Sequence, residues 1–135
     1  MPRSIQLEPS VGQLERLREF LDEDLGELDP RDGPRPEVLV AMTELFVNAC
    51  KHAKIDPGRT ILVSSQRLEG ELIVTLEYDG IQFRPDGARE PCWDELPENG
   101  MGLFVAWQLL DSLEFEPSTQ PRGTQRIRAR KKIES

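Results

Sequence analysis

The sequence predicts a two-layer α/β sandwich, in which a mixed, mostly antiparallel sheet is covered on one face by helices. Three observations carry that expectation. Residues 60–80 hold two β-rich segments, "TILVSSQRL" and "ELIVTLEYDG", separated only by Glu69-Gly70, the pattern of an antiparallel hairpin. Two stretches upstream repeat apolar residues at helical spacing. Downstream, a glycine-opened apolar helix is followed by two more strand candidates. With 135 residues, 37% of them hydrophobic and 31% charged, the chain can bury one core, and a single domain over 1–135 is expected.

Element by element, "RSIQLEP" alternates apolar and polar residues and reads as a short strand ended by Pro9. Ser10 with Gln13 three residues later is a capping-box pattern. It opens a helix on which Leu14, Leu17, Phe20, Leu21, Leu25 and Leu28 share a face. "DPRDGPRP" breaks that helix. A second helix is expected from about Pro36 to Lys54, with Val38, Met42, Leu45, Phe46, Ala49 and Ala53 inside a band of about 100°. After the hairpin, residues 80–100 lose periodicity and collect Pro85, Pro91 and Pro97, so a lid is expected over about 84–99. "NGMGLFVAWQLLDSL" then reads as a mostly buried helix, and "LEFEP" and "TQRIRARKKI" as closing strands.

Charge and cysteines narrow the function. A net charge of −8 argues against non-specific nucleic-acid binding and suits a protein partner with a basic face. The basic tail "RIRARKKI" reads as a strand, with Ile127, Ala129 and Lys131 on one face and the arginines on the other. Cys50 falls in the second helix as a small core residue and Cys92 in the loop; neither has metal-ligand spacing. No apolar run approaches the roughly 20 residues of a membrane span, and "MPRSIQLEPS" has no signal-peptide core. A cytoplasmic protein without membrane contact is expected.

Within "ELFVNACKHA", Glu44, Asn48 and the single histidine, His52, recur at intervals of four and form a stripe beside the apolar band. Such a stripe is either the polar edge of a helix or the floor of a pocket. As a pocket floor it offers a carboxylate for proton abstraction and a neutral amide oxygen for Mg²⁺. "NGMGL" places two glycines at a helix start, where backbone N–H groups and the positive dipole end attract phosphate or simply cap the helix.

Taken in order, "ELFVNACKHA", "YDGIQFRP", a lid, "GMGLFVAWQLLDSLEFE" and "GTQRIRARKK" resemble the GHKL (Bergerat-fold) ATPase superfamily. Within it, the chain is similar to the single-domain anti-sigma-factor serine/threonine kinases, with matching blocks from about residue 37 to residue 131. The resemblance implies ATP and Mg²⁺ as ligands, Glu44 as catalytic base, Asn48 as the Mg²⁺ ligand and His52 as the histidine closing that helix. It assigns Gly80 to the first glycine box, Gly100 and Gly102 with Met101 and Leu103 to the phosphate box, and Gly123 and Thr124 to the adenine end. It also implies phosphorylation of a Ser/Thr on an antagonist protein, a sigma factor as partner, and leaves a homodimer open. One departure stands out. Where the family has an aspartate that accepts from the adenine amino group, this chain has Tyr78, with Asp79 one residue off; Gln82 replaces the box's second glycine. That departure keeps a second reading open, a pseudokinase that regulates by protein–protein interaction with impaired ATP binding.

Overall fold

Alternation along the strands builds one sheet with a dry face and a wet face. The computed structural model of the chain describes residues 2–26, 33–52, 55–56, 58–79, 101–117 and 125–133. Strands β1 (Arg3–Leu7), β2 (Ile61–Leu68), β3 (Glu71–Tyr78), β4 (Ser112–Pro117) and β5 (Gln125–Lys132) form a five-stranded sheet in the order β1-β2-β3-β5-β4. Every ladder among the described residues is antiparallel, so the expected sheet is found without a parallel pair. The β2–β3 hairpin closes on Glu69 (φ 52°) and Gly70 (φ 82°), the doubly left-handed backbone that suits a two-residue turn.

Ile61, Val63, Leu72, Val74, Leu76, Tyr78, Ile127 and Ala129 all point to the covered face and are buried. Against them pack α1 (Leu14–Leu25), α2 (Pro34–His52) and α3 (Met101–Leu109). Leu17, Phe20, Leu21 and Leu25 of α1 join that core, as do Val38, Ala41, Met42, Leu45, Phe46 and Ala49 of α2. The expected apolar faces are therefore those buried, apart from Leu28 and Ala53, which lie outside the described residues.

The helix boundaries differ in detail. Ser10 Oγ accepts from the Gly12 N–H at 3.2 Å and caps a 3₁₀ turn over Val11–Gln13, after which α1 begins at Leu14. The capping box is not completed: the Ser10 N–H donates to the Glu8 carbonyl, and Gln13 Oε1 accepts from Arg16 at 3.0 Å. The turn after Pro9 thus satisfies the donor that Gln13 was expected to reach. Helix α2 starts at Pro34, earlier than the expected Pro36, because a first-turn proline gives up only an N–H with no intrahelical acceptor. Helix α3 is less buried than its composition suggests: Ala106 is fully buried, while Phe104, Val105, Trp107 and Leu109 are half-buried.

Charged side chains fasten the helices. Arg3 lies over the Phe20 ring at 4.4 Å, pairs with Glu23 and with Asp24 (2.9 Å), and so holds β1 against α1. The Ser65 hydroxyl donates to the same Asp24 carboxylate at 2.5 Å. Arg35 at the start of α2 pairs with Asp22 of α1 at 3.0 Å.

Candidate functional site

The stripe on α2 is the natural starting point. Glu44 and Asn48 are half-buried and flank the fully buried Ala41, Leu45 and Ala49. That is the boundary of the apolar band, as their spacing predicts. His52 is the last residue of α2.

What lies opposite that edge follows from Lys131. Its side chain alternates with Ile127 and Ala129 onto the covered face and is 13% exposed. Its ammonium donates to the Leu109 carbonyl at 2.7 Å and to Glu37 Oε2 at 3.1 Å. The last turn of α3 is thereby held beside the first turn of α2, with the cation at the negative end of the α3 dipole. These two helices make the most extensive helix–helix contact in the described fold.

The α3–β4 connection is pinned as well. The Asp111 N–H donates to the Arg130 carbonyl at 3.0 Å, and the Asp111 carboxylate accepts the Lys132 N–H at 2.6 Å. The C-terminal end of α3 is thus tied to β5 by backbone and side chain.

Tyr78 ends β3 on the same face as Leu72, Val74 and Leu76, paired in register with Gln125 at the start of β5. It is 2% exposed and among the largest fully buried side chains. Burial holds its phenol well above the ordinary tyrosine range, so it stays neutral at any physiological pH. Asp79 follows at the strand end, half-buried. Tyr78 points into the core layer, while Asp79, one residue on, lies just past the strand end. Cys50 is half-buried against the core, and desolvation pushes its thiol up to about 11, which suits a packing residue.

The structure places Glu44 and Asn48 on one half-buried edge of α2, the helix that packs against α3. Gly80, Gln82, the lid over 84–99, Cys92, Gly100, Gly123 and Thr124 lie outside the described residues. Met101, Gly102 and Leu103 are placed as the first turn of α3. The sequence reading put Lys131 on the right face but gave it no role. The available signal was a lysine in phase with Ile127 and Ala129, where an apolar residue is the rule.

A model of the histidine kinase-like ATPase domain matches residues 7–131. The chain belongs to that family. Membership implies a nucleotide-binding domain and agrees with the GHKL resemblance of the sequence blocks. Solved structures share the fold of this histidine kinase-like ATPase domain. The RsbU and RsbW domains of Rv1364c from Mycobacterium tuberculosis match with a TM-score of 0.69 and 16% identity, over 100% of this chain and 33% of that one. The histidine kinase domain of the blue-light activated histidine kinase of Erythrobacter litoralis EL346 matches with a TM-score of 0.56 and 18% identity, over 91% and 60%. The histidine kinase AdeS of Acinetobacter baumannii matches with a TM-score of 0.53 and 13% identity, over 98% and 68%. The chain spans about a third of the first of these structures. A comparison with curated proteins finds no match. No helix among the described residues is long and apolar enough to cross a membrane.

Proposed function

We propose that the protein binds Mg-ATP between α2 and α3 and acts in the cytoplasm as an anti-sigma-factor-type regulator. It transfers the γ-phosphoryl group to a Ser or Thr of an antagonist protein and alternately holds a sigma factor. The observation that supports this reading is the half-buried Glu44–Asn48 edge of α2, the helix against which α3 packs. Asn48 offers one side-chain oxygen to the cation. A single protein oxygen suits Mg²⁺, which takes its remaining ligands from phosphates and water. When bound, the ion neutralises charge on the phosphates.

The roles of the residues follow. Glu44 takes the proton of the acceptor hydroxyl as that oxygen bonds to the γ-phosphorus and the bond to the β–γ bridging oxygen breaks, releasing ADP. Backbone N–H groups of Gly100, Met101, Gly102 and Leu103 receive the phosphates at the positive end of α3. The resemblance assigns Tyr78, Asp79, Gly80 and Thr124 to the adenine end and His52 to the close of the α2 stripe.

The pseudokinase reading is favoured by one observation: Tyr78, which the resemblance aligns with the adenine acceptor, is a buried, neutral phenol. Glu44→Ala tests the catalytic assignment. The variant should fold and capture its sigma factor and antagonist as the parent does, because a half-buried side chain at a helix edge contributes little stability. Radiolabelled transfer to the antagonist should disappear. Transfer at the parental rate would remove Glu44 from the mechanism.

A further inference from the structure

Lys131 stands where a packing residue would be expected. It continues the line of Ile127 and Ala129 on the covered face of β5, and its side chain is 13% exposed. A leucine or methionine there would cover the same area without desolvating an ammonium, and a buried ion pair adds little net stability over such a residue. What the ammonium adds is direction. It donates at 2.7 Å to the Leu109 carbonyl and at 3.1 Å to Glu37 Oε2, so one side chain joins β5, the end of α3 and the first turn of α2.

Direction is what α3 needs. The residues of α3, Met101–Leu109, are apolar except for Gln108, which is exposed. Apolar contact is non-directional, so it holds the helix on its neighbours without fixing its position along its own axis. Fixed ties meet at its C-terminal end, where three consecutive residues of β5 grip residues 109–111. Lys131 donates to the Leu109 carbonyl, the Asp111 N–H donates to the Arg130 carbonyl at 3.0 Å, and the Lys132 N–H donates to the Asp111 carboxylate at 2.6 Å. Of these three ties, the one through Lys131 continues to α2.

We infer that Lys131, together with Glu37, is a positioning residue for nucleotide binding: it sets where α3 lies against α2, and so where the opening of α3 can receive phosphates. The inference rests on the proposed function, in which the first turn of α3 binds the phosphates of Mg-ATP. Lys131 bonds the opposite end of that helix, so it acts through α3 and not on the nucleotide. Without its two bonds α3 samples displaced placements, and the apparent dissociation constant rises by the inverse of the competent fraction. A competent fraction of about one tenth to one third weakens binding about three- to tenfold.

Calorimetric titration with Mg-ATP, at a temperature well below every melting transition, tests this on the full chain. Lys131→Met should bind about three- to tenfold more weakly than the parent. Its α3 amides should exchange faster with deuterium, while those of α1 stay unchanged. Lys131→Arg keeps a cationic donor and should recover most of the affinity. Glu37→Gln leaves the Leu109 bond in place and should show a smaller loss in the same direction, which keeps the test open if Lys131→Met does not fold. Arg35→Met controls for general loosening: it removes the 3.0 Å pair with Asp22 that holds α1 to α2, and should bind Mg-ATP as the parent does. Parental affinity in both Lys131→Met and Glu37→Gln, unchanged exchange in α3, or an equal loss in Arg35→Met would each overturn the inference alone. A parent that binds no Mg-ATP would overturn the proposed function with it.

Discussion

Alkaline pH should destabilise this protein through one identifiable group. Tyr78 is the only tyrosine in the chain, 2% exposed, with its phenol held above the ordinary range by burial. In the unfolded chain the phenol titrates near pH 10. Above that pH the unfolded state has lost a proton that the native state keeps. The contribution is therefore fully present below about pH 10 and falls as pH rises, by about 1.4 kcal/mol for each unit while the native phenol stays protonated. The control is Tyr78→Phe, which keeps the ring and removes the ionisable group. Urea unfolding of both proteins at pH 8 and pH 11 should show the parent losing about 1.4 kcal/mol more than the variant. Phenolate absorbance of the native parent should stay flat through pH 11 and rise only on unfolding. A native phenolate titrating near pH 10 would refute the reasoning, because it would mean that solvent reaches the ring and that it is not part of the core.

Two further outcomes follow from the fastenings of the fold. Lys131→Met keeps an apolar stem but removes the bonds to Glu37 and Leu109; it should cost about 1–3 kcal/mol in urea unfolding, with Lys131→Arg costing less. Glu69→Asn should raise stability by about 0.5–1 kcal/mol in the same assay, since asparagine tolerates the positive φ of that turn position better than glutamate.

Much of the architecture is legible in the sequence because burial imposes its period directly. β2, β3 and β5 alternate cleanly, and even the lysine in phase with Ile127 and Ala129 proves to face inward. Helix starts are less legible: Ser10 caps a 3₁₀ turn instead of completing a capping box, since the Glu8 carbonyl competes for the same donor. The half-burial of Trp107 and Phe104 also lies beyond composition, which cannot tell a helix packed on two sides from one packed on a single side. Of the candidate site, the i, i+4 spacing of Glu44 and Asn48 located the edge correctly. The clamp that ties the end of α3 to the first turn of α2 is a tertiary contact spanning residues 37, 109 and 131, and no local pattern announces it. Tyr78 was legible as a departure from the family pattern; that its ring belongs to the core emerges only from packing.

The most direct test of the account is calorimetric titration of the purified protein with Mg-ATP, paired with a thermal melt. A pocket between α2 and α3 predicts saturable heat and a melting temperature that rises with ligand, because a ligand specific to the folded state stabilises it. In Asn48→Ala, the dependence of that binding on magnesium should vanish. The absence of both heat and thermal shift at millimolar Mg-ATP would contradict the kinase reading and leave a binding module that keeps the fold without the nucleotide.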